Sequence, residues 1–314
     1  LVGVGAHAQQ LPHDGQSPRE VAIDEMVAQQ QALCRKLIVS VPAGNSFASQ
    51  AHAQIPFGAG GSVRWIVPPD GRTPAFLEVW WPKAVPLADV RIRLLPPSGA
   101  PVDLQPGSNP PAPQRWFAEL QSTASGPLAL LVVHPTEFDD AWRGLHGTWM
   151  LEFDRLSSGA AGDIHLYVAR ADHNMGARRR ASASYLTDNA HEAHRFVTAS
   201  QRNDEAAGSA VRRSGTLNGL ATGAATHVAA GYRFGDFRMA RYSSSGRSRG
   251  TRPSPDYSCV TDQSALVLGV RAAGVRSGTA PAGRAPAGFS GAGEETLFSG
   301  VAADLGGTSC AGFA

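Results

Sequence analysis

The stretch at residues 37–46, Leu-Ile-Val-Ser-Val-Pro-Ala-Gly-Asn-Ser, constrains the fold more than any other part of this chain. Its apolar and β-branched residues predict a buried strand, and Pro42 ends that strand because proline cannot donate to a strand ladder. Ala43, Gly44 and Asn45 follow as a tight turn in which the backbone can approach a ligand closely. Asn45 is therefore either a ligand-binding residue or the cap of the turn.

A helix is predicted directly upstream of this strand. Ser17 is a suitable N-cap, Pro18 suits the first helical position, and apolar residues recur from residue 19 to residue 32. A short strand at residues 1–5 precedes the helix. Strand, helix and strand in succession predict a βαβ unit with a parallel sheet.

The sequence pattern changes at about residue 58. Short segments with partial apolar–polar alternation are separated by turns rich in proline and glycine, which is typical of an antiparallel sandwich. All six tryptophans lie between residues 65 and 149, so the aromatic core belongs to this region. The predicted strands are residues 63–67, 75–81, 90–95, 128–133 and 149–153.

These patterns together predict an α/β fold, with a partial parallel sheet and helices interrupted by an inserted antiparallel β-sandwich. We expect the first part of the α/β core at residues 1–60, the sandwich at 61–163 and the second part of the core at 164–279. Residues 280–314 form a low-complexity tail of alanine, glycine and proline, which we expect to be disordered.

Composition excludes several classes of function. The net charge of +2 gives no reason to expect nucleic acid as a partner, and no apolar run approaches the roughly 18 residues that a membrane span needs. Cys34, Cys259 and Cys310 are too widely spaced to form a metal-ligand set or a disulfide framework. No glycine-rich phosphate motif follows a strand. We therefore expect no metal and no cofactor, while the compartment, cytoplasmic or secreted, stays open.

Eight short segments, in this order, resemble the subtilisin-like serine peptidases, in a bacterial branch with an inserted β domain. The resemblance covers about residues 1–57 and 164–279. The segments are Pro12-His-Asp-Gly-Gln-Ser17, Ala22-Ile-Asp24, Val41-Pro-Ala-Gly-Asn-Ser46, His52-Ala53, Arg213-Ser-Gly-Thr-Leu-Asn-Gly-Leu-Ala-Thr-Gly223, Val228-Ala-Ala-Gly-Tyr232, Ala240-Arg-Tyr-Ser-Ser-Ser-Gly246 and Pro255-Asp-Tyr-Ser-Cys-Val-Thr-Asp262.

The resemblance implies a serine-type endopeptidase with a fold of the subtilisin type. In such enzymes a serine attacks the scissile carbonyl, a histidine accepts its proton, an aspartate orients the histidine, and amide donors stabilise the oxyanion. The match gives Asn45 the role of oxyanion donor. Two backbone segments would bind the polypeptide substrate: a wall of the primary specificity pocket formed by Val41, Pro42, Ala43 and Gly44, and a strand formed by Gly3, Val4 and Gly5.

The remaining catalytic residues are less clear in this sequence. The family's aspartate and histidine segments precede the segment that matches Leu1, so we expect the chain to be a fragment that is inactive alone. Gly307-Thr-Ser-Cys-Ala311 matches the family's Gly-Thr-Ser-x-Ala, which makes Ser309 a candidate nucleophile. The family pattern is lost after Thr279, however, where this motif is due. A serine in a disordered tail and a tail read out of frame are the alternatives.

A rival hypothesis from a different functional class is a noncatalytic binding module. In that interpretation the Trp-rich sandwich binds carbohydrate or protein, and the remainder is a peptidase-like scaffold. Upstream sequence distinguishes the two hypotheses, because an Asp-Ser/Thr-Gly strand and a His-Gly-Thr helix would favour the peptidase.

Overall fold

The structure is a computed structural model that describes residues 2–3, 10–107, 115–137, 142–154, 162–169, 183–197, 207–233, 236–240, 242–247, 249–250, 252–262, 270–273, 296–297 and 302–305. The chain divides into two compact units. The terminal unit comprises Leu1–Ser49 and Arg213–Ala314, and the central unit comprises Gln50–Arg212.

The described residues contain eighteen strands, two α-helices and one short 3-10 helix. In chain order they are β1 (Val2–Gly3), α1 (Pro18–Ala32), β2 (Val39–Pro42), β3 (His52–Pro56), β4 (Gly61–Val67), β5 (Ala75–Trp80), the 3-10 helix (Leu87–Asp89), β6 (Ile92–Leu95), β7 (Val102–Leu104), β8 (Trp116–Thr123), β9 (Gly126–Val133), β10 (Gly147–Phe153), β11 (Asp163–Val168), β12 (Tyr185–Thr187), α2 (Asn189–Val197), β13 (Val211–Arg212), β14 (Thr226–Arg233), β15 (Tyr257–Asp262), β16 (Val270–Ala273), β17 (Thr296–Leu297) and β18 (Ala302–Leu305).

Four strands of the terminal unit form a sheet in the order β1-β2-β14-β15, and every pairing in it is parallel. The β2 and β14 strands pair from Val39 opposite Thr226 to Pro42 opposite Ala229. All four residues of β2 are buried, as expected for a strand covered on both faces. The turn after Pro42 therefore leaves the sheet at its carboxyl edge, beside the second half of β14. Separately, β16, β18 and β17 form a small antiparallel sheet.

Helix α1 begins at Pro18, as the sequence predicts. The Ser17 hydroxyl accepts a hydrogen bond from the Glu20 N–H, and the Glu20 carboxylate accepts one from the Ser17 N–H, which is a complete capping box. Pro18 has no N–H, so this helix start leaves three N–H groups without intrahelical partners, and the capping box satisfies two of them.

The central unit is an antiparallel sandwich. One sheet has the strand order β13-β3-β11-β5-β9-β8 and the other has the order β12-β4-β10-β6-β7. The Trp116 and Trp149 rings, one from each sheet, meet edge to face with their centroids 5.2 Å apart. Five of the six tryptophans are at most 4% exposed and build this unit, whereas Trp142 is 60% exposed.

The predicted α/β class is wrong. The described residues are mostly β, with antiparallel sheets and only two α-helices among them. The predicted strand–helix–strand unit is present as β1, α1 and β2, with β1 parallel to β2. It accounts for only a small part of the chain. The connection from β2 to the parallel strand β14 contains the whole central unit, so the crossover that a helix makes in an α/β fold is made here largely by antiparallel strands.

Residues 50–212 are expected to fold by themselves, because both sheets of the sandwich are complete within them. A matched fragment of residues 61–163 lacks β3 and nearly all of β11, and it should fail to fold cooperatively. Urea unfolding of both fragments, followed by tryptophan fluorescence, checks this expectation. Equal cooperativity of the two fragments would contradict it.

Candidate functional site

The candidate site is the turn formed by Gly44, Asn45 and Ser46 at the carboxyl end of β2. Gly44 has a φ of +108°, in the left-handed region that favours glycine. A Cβ atom there would lie 3.1 Å from the Ser244 Oγ and 3.2 Å from the Asn218 backbone nitrogen. Both the conformation and the space therefore require glycine directly before Asn45.

Ser244 holds this turn from both sides of Asn45. The Ser46 N–H donates to the Ser244 Oγ at 2.9 Å, and the Ser244 N–H donates to the Gly44 carbonyl at 2.9 Å. Ser244 is fully buried. One residue farther along, the Phe47 N–H donates to the Tyr242 carbonyl at 3.2 Å. The backbone on each side of Asn45 is thus fixed by the segment 242–244.

Asn218 fixes the end of β2 itself. Its N–H donates to the Ala43 carbonyl at 2.6 Å, and its side-chain Nδ2 donates to the Pro42 carbonyl at 3.4 Å. Its Oδ1 accepts from the Leu220 N–H at 3.2 Å, and the side chain is fully buried. Asn218 therefore has a structural role and does not present its amide to a ligand.

Asn45 is half-buried, between neighbours whose backbones are anchored. A carboxamide is neutral, and its NH₂ group can donate to an oxygen that develops negative charge. A donor that is held in place before the reaction stabilises such charge without any cost of reorganisation. The geometry of this turn therefore suits an oxyanion donor.

A buried carboxylate, Glu20, ties α1 to the loop that follows Asn218. One carboxylate oxygen accepts from the Thr222 N–H at 3.1 Å and from the Thr222 hydroxyl at 2.5 Å, and the other accepts from the Ser17 hydroxyl at 2.8 Å. Burial disfavours the charged form and raises the pKa of Glu20, although these hydrogen bonds oppose the shift.

A raised pKa makes the stability of the terminal unit depend on pH. The contribution of Glu20 to the free energy of unfolding is complete below its ordinary pKa of 4.5. It is lost as the pH rises through the pKa that Glu20 has in the folded protein. As the pH rises from 4.5 through the raised pKa of Glu20, the wild type should therefore lose free energy of unfolding relative to Glu20→Gln. Denaturant unfolding across this range measures it. Glu25→Gln, an exposed glutamate on the same helix, is the matched control, and parallel curves for wild type and Glu20→Gln would contradict the expectation.

Some of the predicted site residues lie outside the described part of the chain. Gly3 is described and pairs with Ser40 in the parallel sheet. Val4, Gly5 and Ser309 are outside the described residues. The role of the 3–5 strand in binding substrate and the role of Ser309 as nucleophile both stay predictions.

The predicted pocket wall is described throughout. Val41 and Ala43 are fully buried and belong to the apolar core of the terminal unit, and Pro42 and Gly44 are buried as well. The four residues lead directly into Asn45 and fix its position. Their contact with a substrate side chain stays a prediction.

Two residues that shape the site, Glu20 and Ser244, have no predicted role in the sequence. Glu20 could have been found from the pattern Ser-x-x-Glu at the start of α1, which is the signature of a capping box. Ser244 lies in the segment Tyr-Ser-Ser-Ser-Gly, one of those that resemble the peptidase family. Its two hydrogen bonds to the Asn45 turn join residues 198 positions apart or more, and no local pattern reveals them.

The described residues contain neither a metal-binding cluster nor a membrane-spanning helix. Among the described residues, no three side chains of His, Cys, Asp or Glu are grouped so that they could hold a metal ion. Within the same residues, neither α-helix is long and apolar enough to cross a membrane.

Comparison with known proteins finds similarity to solved structures alone. No protein family and no curated protein matches this sequence. The fold is similar to the solved structure of the CspB protease of Clostridium perfringens, with a TM-score of 0.60 and 14% sequence identity. The match covers 98% of this chain and 51% of the protease, so the chain spans about half the length of that protein. At this level of identity the similarity establishes the fold alone.

Proposed function

We propose that this chain is part of a serine-type endopeptidase of the subtilisin-like class, in which Asn45 stabilises the oxyanion of the scissile peptide bond. The observation that carries the proposal is the anchored turn at Asn45. Ser244 and Asn218 hold this turn at the carboxyl edge of a parallel sheet, where ligands bind in folds with such sheets. The fold similarity to a protease supports the same reaction class.

In the proposed mechanism a serine hydroxyl attacks the peptide carbonyl while a histidine accepts its proton. Negative charge then develops on the carbonyl oxygen, and the Asn45 amide donates a hydrogen bond to it. Val41 to Gly44 would line the pocket for the side chain before the scissile bond. Asn45 supplies only part of this machinery, because a serine without a base is essentially unactivated at neutral pH.

The proposal is tested with the product of the complete gene, which includes whatever the gene encodes around these 314 residues. We expect it to hydrolyse fluorescently labelled casein, and we expect a fluorophosphonate to label one serine and stop hydrolysis. Mass spectrometry of the labelled protein identifies the nucleophile and decides whether it is Ser309. Absence of both hydrolysis and labelling would count against a peptidase and favour the noncatalytic binding module.

Ser244→Ala should loosen the turn that positions Asn45. The Ser46 N–H loses its acceptor, so its hydrogen exchange should accelerate at least tenfold, at a cost of about 1–2 kcal/mol in stability. Since Asn45 acts on the transition state, kcat should fall more than KM rises. Hydrogen exchange by NMR and steady-state kinetics measure the two effects.

Ser243→Ala is the matched control for this prediction. Ser243 is equally buried, but its hydroxyl accepts from the Gly231 N–H at 3.0 Å and not from the turn. It should lower stability without changing exchange at Ser46. Equal exchange rates at Ser46 in both variants would contradict the positioning role of Ser244.

A further inference from the structure

Three large side chains lie on one hairpin at the carboxyl end of β14, where Tyr232 stands opposite Met239 in an antiparallel bridge. Tyr232 is near the end of β14, and Phe237 and Met239 follow it; we call these three residues the hairpin patch. Phe237 is 73% exposed and Met239 is 43% exposed. The Phe237 ring stacks on that of Tyr232, with centroids 6.1 Å apart and 22° between the ring planes. Exposed apolar side chains grouped in this way are a feature of binding sites.

Backbone hydrogen bonds join the described residues on the two sides of this hairpin. The Arg233 N–H donates to the Arg238 carbonyl at 2.8 Å, and the Ala240 N–H donates to the Gly231 carbonyl at 2.9 Å. Phe237 has a φ of +54°, a conformation that is unfavourable for a bulky residue and that occurs more often at ligand-binding sites. The hairpin thus holds a large apolar side chain in solvent in a conformation that costs free energy.

Tyr242 and Ser244, which follow the hairpin patch in the sequence, are hydrogen-bonded to the Asn45 turn. The Tyr242 carbonyl accepts from the Phe47 N–H, and Ser244 holds the turn. Tyr242 lies three positions after Met239, which is at most about 11 Å of extended chain. An extended peptide of several residues is long enough to reach from the turn to the patch.

We propose that the hairpin patch binds an apolar side chain of the polypeptide substrate, several residues from the bond at which Asn45 acts. This inference rests on the proposed function, because it names a preference of the same site. Arg233 beside the patch is ion-paired with Asp236. An apolar side chain loses contact with water when it covers Phe237 and Met239, which favours such a substrate over a polar one.

Peptide binding to the 314-residue chain tests the proposal without any need for hydrolysis. The probes are two fluorescein-labelled decapeptides of equal charge, one with three phenylalanines and one with serines in their place, measured by fluorescence anisotropy. The wild type should bind the phenylalanine peptide more tightly. The double variant Phe237→Ser/Met239→Ser should weaken that binding at least tenfold and leave the serine peptide unaffected.

Leu33→Ser is the matched control, because Leu33 is 62% exposed at the end of α1 in the same unit. It should bind both peptides as the wild type does. Equal affinity of wild type and double variant for the phenylalanine peptide would overturn the proposal, and so would equal affinity of the wild type for the two peptides. All three substituted positions are exposed, and unchanged thermal unfolding shows that the variants are folded.

Hydrolysis by the complete gene product separates this proposal from the proposed function. The double variant should raise KM for the phenylalanine peptide and leave kcat unchanged. Tighter binding of the phenylalanine peptide without any hydrolysis would contradict the peptidase function and support the patch as a peptide-binding site. Hydrolysis with the same KM in wild type and double variant would contradict the role of the patch in substrate binding and would still support the peptidase function.

Discussion

Asn45→Ala should lower kcat for peptide hydrolysis about 10²–10³-fold, the loss that follows removal of an oxyanion-hole asparagine from a subtilisin. KM should change little, because in the proposed mechanism the amide donates to charge that develops only in the transition state. The backbone of the turn should be largely unaltered, since Ser244 and Asn218 anchor it. Steady-state kinetics of the complete gene product give both parameters.

Two variants make this result specific to the amide donor. Asn45→Asp keeps the size of the side chain but removes its NH₂ group, and it should be at least as impaired as the alanine variant. Asn189→Ala makes the same substitution at an exposed position in the central unit and should keep wild-type kcat. A loss in Asn45→Ala confined to KM would indicate ground-state binding and would argue against an oxyanion role.

Trp149→Ala should destabilise the central unit by about 3–5 kcal/mol, the range for removal of a large aromatic side chain from a core. Trp149 is fully buried, its ring contacts those of Trp65 and Trp116, and its Nε1 donates to the Leu145 carbonyl at 3.1 Å. All six tryptophans lie in the central unit, so tryptophan fluorescence during urea unfolding reports this unit alone.

The chain offers a graded set of controls for this result. Trp149→Phe keeps an aromatic ring but leaves the Leu145 carbonyl without its donor, which should cost about 1–3 kcal/mol. Trp142→Ala removes the exposed tryptophan and should stay within about 0.5 kcal/mol of the wild type. Similar losses in Trp142→Ala and Trp149→Ala would contradict the assignment of the core.

Local elements were predictable from this sequence. Helix α1 begins at Pro18 because its cap and its first residue are encoded side by side, and β2 ends at Pro42 for the reason inferred from the chain alone. Strand β10 alternates between buried and half-buried residues over Trp149 to Phe153, which is the pattern that predicted it. The apolar periodicity of a segment and the residues that begin or end it are local properties of the sequence. They can therefore be recognised without knowing which other segments pack against it.

The fold class was not predictable in the same way. Strand pairing joins residues that are far apart in the sequence, such as Pro42 and Ala229. The periodicity of a strand does not indicate which other strand it pairs with. The site shows the same division. The Ala-Gly-Asn sequence indicated the turn, because Gly44 needs a conformation that glycine favours. The serine that fixes the turn lies in another segment of the chain, and only the folded structure brings it there.

The pairing of β3 with β13 has a consequence for the order of folding. These strands lie at the two ends of the central unit, with Ala53 opposite Val211 and His52 opposite Arg212. If the intervening chain of about 160 residues were unfolded, its loop-closure entropy would oppose the pairing of β2 with β14 by about 4–5 kcal/mol. A folded central unit already holds its ends side by side and removes most of that entropy. The parallel sheet should therefore form late, after the sandwich, and a mutation that slows the sandwich should slow the assembly of the Asn45 turn as well.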